Sequence, residues 1–214
     1  MIMPSLKKLR IGAMIVALLV VMIESPLAQE CLSPSPSITQ MGETPYDPIE
    51  VRKLTPSEFA NLSKLFQSLT GDWRGEAEHF FCRSDQDPSD IAIERSIIRA
   101  KVQVDRNSNL NLSANLYSES DRTSYQKNLW LYLNDLKLRL NNDNSTGNVE
   151  LQTVSEHKVA FFARHVLQTG TSGGSARQEP FYSVTRTPDE FTIEMRLYVR
   201  GKLSSGYTWT FSKK

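Results

Sequence analysis

Apolar and polar residues alternate one by one from Trp73 to the C-terminus, and this period-two pattern constrains the fold more than any other feature. It is clearest over residues 191–200, where every odd position is apolar and most even positions are polar or charged. Successive side chains of a strand point to opposite faces, so such a segment has one buried and one solvated face. The pattern recurs in about ten segments, which we interpret as β-strands.

Short polar turns join most of these strands, and this spacing predicts how they pair. Consecutive strands with short links form antiparallel hairpins, so the chain is expected to build an up-and-down meander. An open meander would leave two unpaired edges, which closure removes. We therefore predict an all-β fold, an antiparallel up-and-down meander closed into a barrel of about 8–10 strands over residues 71–214. The Gly-rich link 167–178 is expected to be a flexible loop at the barrel rim.

One short amphipathic helix is predicted directly before the first strand, over residues 55–70. Thr55 and Glu58 have the spacing of a capping box, and Pro56 occupies the first helical position, where its missing N–H costs nothing. Gly71 follows, as glycine often does just past a helix end. The apolar face repeats at helical spacing and comprises Phe59, Leu62, Phe66 and Leu69.

The N-terminal segment has the three-part layout of an export signal. A positive region with two lysines and an arginine precedes an apolar run, residues 11–23, that is shorter than the roughly 20 residues needed to span a bilayer. We predict a signal peptide over residues 1–28, with an uncut N-terminal anchor as the alternative, and a periplasmic or secreted protein. The Pro-rich segment 29–54 has no sustained periodicity and is expected to be a tail.

Charge and cysteine content narrow the function classes further. Removing residues 1–28 takes away three of the 25 basic and one of the 24 acidic residues, which leaves a net charge of −1. This balance gives no reason to expect a nucleic-acid partner, since such partners select for basic surfaces. In an oxidising compartment two cysteines are the minimum for one bridge. We predict a disulfide between Cys31 and Cys82, with two free thiols as the alternative.

Gly71-Asp72-Trp73, between the helix and the first strand, resembles the G-x-W signature at the start of lipocalins and related calycin barrels. The order of a short helix, a G-x-W strand and a meander to the C-terminus is also similar, over residues 55–214. The resemblance implies that Trp73 packs across one barrel end with an arginine over it, either Arg196 or Arg200. It also implies that a small apolar molecule binds inside the barrel.

No catalytic motif is recognisable, so the protein is predicted not to be an enzyme and to need no cofactor or metal. The sequence lacks a nucleophile elbow, a phosphate loop and a zinc-protease helix. His79 and His165 share their parity with apolar neighbours, so both imidazoles are expected to point inward. Two inward histidines could ligate a metal or haem, but a buried histidine satisfied by a neighbouring hydroxyl or carbonyl is commoner.

These inferences lead to a non-catalytic barrel that binds a small apolar or amphipathic ligand. We predict that side chains on the apolar faces of three strands line the binding site, and that His79 or His165 orients the ligand. The alternative is a cell-envelope interaction module with a filled barrel core, and a cavity of about 300 Å³ or more would favour ligand binding. The predicted ligand-binding residues are His79, Phe81, Phe161, Ala163, His165, Ile193, Met195 and Leu197.

Trp130 and Tyr132 lie on the opposite face of their strand from Leu129, Leu131 and Leu133. Aromatic residues on a nominally polar face are typical of a surface for a protein partner, here an envelope protein. Alternatively, the two aromatic residues form the interior and the helix covers the leucines. Parity by itself leaves both arrangements open.

Overall fold

The computed structural model describes residues 31–36, 51–142, 145–163, 165–169 and 174–213, and it describes 145–146, 165–169 and 174–177 by their backbone path and pairing. The predicted signal peptide, residues 1–28, lies outside these ranges. The described residues form one helix followed by eleven strands. The elements are α1 (Pro56–Leu69), β1 (Gly71–Cys82), β2 (Ile91–Val104), β3 (Leu110–Ser118), β4 (Ser124–Asn134), β5 (Lys137–Asn142), β6 (Ser145–Val154), β7 (Lys158–Ala163), β8 (His165–Thr169), β9 (Gly174–Arg186), β10 (Glu190–Val199) and β11 (Lys202–Lys213).

Every pair of neighbouring strands is antiparallel, and ten strands close into a barrel. Strands β1 to β7 follow one another in sequence order, β7 pairs with β9, and β9 pairs with β10. The wall closes because β11 pairs with both β10 and β1. The predicted all-β meander, closed into a barrel after one short helix, is therefore confirmed.

The predicted rim loop at 167–178 is wrong for most of its length. Residues 165–169 form β8, which pairs with residues 174–178 of β9. Among the described residues β8 pairs with β9 and with no other strand, so these two segments extend beyond the closed wall. Gly174 begins β9, where backbone pairing outweighs its conformational freedom, and Gly170 and Gly173 lie outside the described residues.

Helix α1 begins and ends close to its predicted positions because its capping box forms. The backbone N–H of Glu58 donates to Oγ1 of Thr55 at 3.3 Å, and the N–H of Thr55 donates to the Glu58 carboxylate at 2.9 Å. Arg52 also donates to that carboxylate, at 2.6 Å, and lowers the pKa of Glu58 to about 2. The apolar face of α1 packs over one end of the barrel core, here named the closed end, through Leu62, Leu65, Phe66 and Leu69.

Trp73 lies at the closed end, as the resemblance to calycins implies. Its side chain is 2% exposed, and its indole N–H donates to the carbonyl oxygen of Leu69, the last residue of α1, at 2.8 Å. The ring of Phe191 meets the indole edge to face, with 4.7 Å between ring centroids. Trp73 thus joins α1 to the barrel wall.

The arginine over Trp73 is Arg186, so the expectation of Arg196 or Arg200 is wrong. The Arg186 guanidinium lies 5.5 Å from the centroid of the indole ring. Arg196 pairs with Phe181 and Gly206 nearer the opposite end of β10, and its even parity turns it away from the interior. Arg200 is exposed in the turn after β10, where its φ is 51°. Which arginine lies over Trp73 depends on its position along the strand, and periodicity does not give that position.

The predicted disulfide is present at the other end of the barrel, here named the open end. Cys31 is bonded to Cys82, the last residue of β1, and their Cα atoms are 5.7 Å apart. Beside the bridge, the N–H of Leu32 donates to the carbonyl of Leu203, and the N–H of Leu203 donates to the carbonyl of Ser33. The start of the predicted tail therefore runs along β11, held by a covalent bond and by backbone pairing.

Gly75 permits a close approach of β1 to β11, and it supports a first prediction. A Cβ at this position would lie 1.7 Å from the carbonyl oxygen of Thr210, a backbone atom that cannot turn aside. We expect Gly75→Ala to lower the free energy of unfolding by at least about 1–3 kcal/mol, the usual cost of overpacking. Urea denaturation followed by circular dichroism measures the loss.

The neighbouring substitution Glu76→Ala is the matched control for Gly75→Ala. Glu76 is exposed on the outer face of the same strand, so its replacement is expected to change stability by less than about 0.5 kcal/mol. Equal stability of the two variants would show that β1 and β11 separate at no cost, which contradicts the close approach.

Candidate functional site

The two ends of the barrel interior differ in how completely side chains fill them. Trp73, Phe191 and Phe211 are fully buried at the closed end, whereas the open end holds a cavity of about 370 Å³. Phe81, at the rim of this cavity, is 41% exposed. The cavity is lined by His79, Phe81, Tyr125, Lys127, Asn128, Asn142, Tyr182, Met195, Ser205, Gly206, Tyr207 and Trp209.

Strands β1 and β11 supply one wall of the cavity through their inward parity. The buried Trp73 and Ala77 set the inward parity of β1, which continues to His79 and Phe81. In the paired register, His79 lies opposite Tyr207 and Phe81 opposite Ser205. The Tyr207 and Trp209 rings are stacked, with centroids 4.5 Å apart. The result is an aromatic wall that narrows toward the filled core.

Strands β4 and β5 supply much of the polar part of the lining. The inward Leu116 and Ala114 of β3 lie opposite Tyr125 and Lys127 of β4, so these two side chains also point inward. On β5 the buried Leu138 and Leu140 set a parity that continues to Asn142. Tyr125, Lys127 and Asn142 thus lie where two otherwise apolar rows reach the open end.

His79 is held in its neutral form. The Trp209 indole N–H approaches Nε2 of His79 at 3.4 Å, so this nitrogen accepts and the imidazole proton is placed on Nδ1. Burial lowers the pKa of His79, and the positive charge of Lys127 lowers it further. At neutral pH the imidazole therefore contributes a polar but uncharged surface to the cavity.

Tyr182 forms part of the cavity floor and also remains neutral. The amide nitrogen of Asn142 donates to its hydroxyl oxygen at 2.6 Å, and its ring stacks on Phe161 with centroids 5.3 Å apart. Burial raises the pKa of Tyr182 to about 12. The pKa of Tyr125 is raised as well, mainly by burial. Both phenols can offer hydrogen bonds to a ligand without adding charge.

The sequence identified part of this lining. Three of the predicted ligand-binding residues, His79, Phe81 and Met195, line the cavity. Phe161, Ala163 and Ile193 face the interior as predicted, but they pack within the filled core and are not among the residues that line the cavity.

Two further predicted residues have different outcomes. Leu197 also has inward parity but is not among the lining residues. The backbone of His165 lies in β8, and its side chain falls outside the described part of the chain.

Three of the lining residues that sequence reasoning missed could have been found by extending two clear rows. Counting back by twos from Leu131 and Leu129 reaches Lys127 and Tyr125, and counting forward by twos from Leu140 reaches Asn142. Their polarity hid them, because an inward polar residue breaks the apolar pattern that marks a strand face.

The described ranges contain neither a candidate metal centre nor a membrane-spanning helix. There, no three His, Cys, Asp or Glu side chains come together in an arrangement that could hold a metal ion. No helix within these ranges has the length and apolar character needed to cross a membrane.

The orientation of β4 decides between the two arrangements of its aromatic pair. Leu129 and Leu131 are buried in the barrel core, so Trp130 and Tyr132 lie on the outer face. Their rings are in contact, with centroids 4.7 Å apart, and Trp130 is 41% exposed. The alternative in which these aromatic residues form the interior is therefore wrong.

The fold and the cavity define a class: a closed, ten-stranded antiparallel β-barrel that a helix covers at one end and that holds an aromatic cavity at the other. This architecture agrees in its broad plan with the resemblance to calycins, although lipocalin barrels have eight strands.

Comparisons with known proteins add two likenesses. No family model matches the chain, and no curated protein matches it. One similar solved structure is a protein of unknown function from the DUF3598 family of Nostoc punctiforme PCC 73102, with 14% identity and a TM-score of 0.44. That match covers 79% of this chain and 53% of the other, so this chain spans about half the length of the Nostoc protein. Another is Rv2717c from M. tuberculosis, with 12% identity, a TM-score of 0.41, and 75% and 99% of the two chains covered. Neither likeness bears on ligand or activity.

Proposed function

We propose that the protein binds one small apolar or amphipathic molecule in the cavity at the open end, and that it does so without catalysis. The observation that carries this proposal is a cavity of about 370 Å³ with an aromatic wall and a few polar groups. Small-molecule sites typically have volumes of about 300–1,000 Å³ and combine an apolar lining with a few placed polar groups. A barrel with a filled core would have no such space at this end.

We further propose that the protein acts in an oxidising compartment, the periplasm or the cell exterior. The Cys31–Cys82 disulfide supports this location, because disulfides persist in such compartments and are rare in the cytosol. The export-like pattern of residues 1–28 points the same way.

Blocking the cavity tests ligand binding. Ser205 is a small residue of the lining on β11, and a tryptophan in its place would occupy the space that a ligand needs. We expect the wild-type protein to bind the neutral fluorescent probe prodan with a blue-shifted emission. Ser205→Trp is expected to weaken that binding by about tenfold or more, which corresponds to about 1.4 kcal/mol.

Ser212→Trp is the matched control, because Ser212 lies on the same strand with opposite parity and is exposed. It is expected to leave probe binding unchanged. A wild-type protein that does not shift the emission of the probe would overturn the proposed function.

A second candidate function is docking of an envelope protein on the outer face of the barrel. The contacting rings of Trp130, which is exposed, and Tyr132, which is half-buried, favour it, because tryptophan and tyrosine are enriched where protein surfaces meet. A wild-type protein that binds no apolar probe would make this candidate the stronger of the two.

A further inference from the structure

Lys127 places a positive charge in the lining of the cavity. It lies opposite the buried Ala114 of β3, whose small side chain leaves room for the lysine on the inner face. The ammonium nitrogen lies 6.0 Å from the centroid of the Tyr125 ring. Within the described residues, none of the ion pairs involves Lys127. A half-buried ammonium without a counter-ion is costly unless something else pairs with it.

Lys127 is the one charged side chain among the described residues that line the cavity. The other titratable groups of the lining are His79, Tyr125, Tyr182 and Tyr207. Burial lowers the pKa of the histidine and raises the pKa of Tyr125 and Tyr182, so these three are neutral at pH 7. The cavity therefore presents an apolar and hydrogen-bonding surface with a single positive point.

Two acidic residues lie near the mouth of the cavity. Glu94 and Asp121 act electrostatically on Tyr125, and both are exposed to solvent. Neither forms an ion pair with Lys127 in the described part of the chain. Solvent screens such exposed charges, whereas a ligand inside the cavity would meet the ammonium where water is partly excluded.

We propose that the molecule bound in this cavity is a compact amphipathic anion. Its oxyanion head group, such as a carboxylate, pairs with the ammonium of Lys127, and its apolar body lies against Phe81, Tyr207 and Trp209. This inference rests on the proposed function and specifies the chemical class of the ligand. A lysine suits this role because its flexible side chain lets the compact ammonium adjust its position to the head group. The planar guanidinium of an arginine would require one fixed geometry.

A matched pair of ring compounds tests the charge requirement. 2-Naphthoate and 2-naphthamide have nearly the same shape, but only the first is an anion at pH 7. In isothermal titration calorimetry with the full exported chain, we expect the wild-type protein to prefer the naphthoate by about tenfold or more, the size of one charge-assisted hydrogen bond. Lys127→Met is expected to remove the preference, because the affinity for naphthoate falls to that for naphthamide.

Two further variants sharpen this experiment. Lys127→Arg keeps the positive charge and is expected to retain a preference for the anion. Lys101→Met removes a lysine from the exposed outer face and is expected to change neither affinity, which separates a local charge from the net charge. Thermal unfolding of each variant confirms that it is folded before titration.

The outcomes distinguish the inference from the proposed function. If wild type and Lys127→Met bind both compounds equally well, the cavity binds ligands without regard to charge, and the inference is overturned while the proposed function stands. If the wild-type protein binds neither compound nor prodan, the proposed function itself is overturned. A preference for naphthamide would also overturn the inference.

Discussion

Trp73→Ala is expected to lower the free energy of unfolding by about 3–5 kcal/mol, the range for truncating a large buried aromatic residue. The side chain is 2% exposed, and it contacts the end of α1 and the aromatic residues of the closed end. Alanine would leave a cavity below the helix and would remove the surface on which the Arg186 guanidinium lies. Helix and barrel would also lose the hydrogen bond from the indole to Leu69.

Trp130→Ala is the matched control, since it removes the same side chain from the exposed outer face. We expect it to cost less than about 1 kcal/mol. Trp73→Phe separates the ring from its hydrogen bond, because phenylalanine keeps most of the buried area but cannot donate to the Leu69 carbonyl. It is expected to recover most of the loss and to retain a deficit of about 1 kcal/mol or more.

Urea denaturation followed by far-ultraviolet circular dichroism is the appropriate measurement, because tryptophan fluorescence would change with the substitutions themselves. A loss below about 1 kcal/mol for Trp73→Ala would mean that the indole is not a buried contact between helix and barrel. The closed end would then need a different account.

Loss of the Cys31–Cys82 bridge is expected to lower the free energy of unfolding by about 2–4 kcal/mol. The two cysteines are 51 positions apart, so the bridge closes a long loop and removes many conformations from the unfolded chain. In the folded protein it also holds residues 31–36 beside β11 at the open end. Without the bridge, that short segment would lose its covalent link to β1 and keep its backbone hydrogen bonds to residues 201–203.

The double variant Cys31→Ser, Cys82→Ser gives this measurement without added reductant. Reduction of the wild-type protein should produce the same loss, while the double variant should not respond to reductant at all. Thiol titration of the unreduced, denatured wild-type protein is expected to find no free thiol. Two titratable thiols would contradict the bridge, and a double variant as stable as the oxidised protein would contradict its contribution to stability.

The sequence determined which side of the most regular strands faces the interior and where the helix lies. Alternation over residues 191–200 gives an unambiguous inward parity, because the pleat of a strand turns successive side chains to opposite faces. The helix boundaries follow from the capping box at Thr55 and Glu58, since that hydrogen bonding is local in the chain. From two cysteines and a predicted export signal, the sequence also predicted the correct disulfide pair.

The tertiary structure decided how far along the barrel axis each inward residue lies and what lies across from it. Phe161 and Met195 both face inward, yet one is in the filled core and the other lines the cavity. Arg186, and not Arg196, lies over Trp73 because strand stagger brings that end of β9 to the closed end. Lys127 of β4 and the aromatic wall of β1 and β11 line the same cavity because the strands close into a barrel. Alternation fixes the side of a strand, but closure and stagger around ten strands fix depth and neighbours, and these arise from pairings distant in sequence.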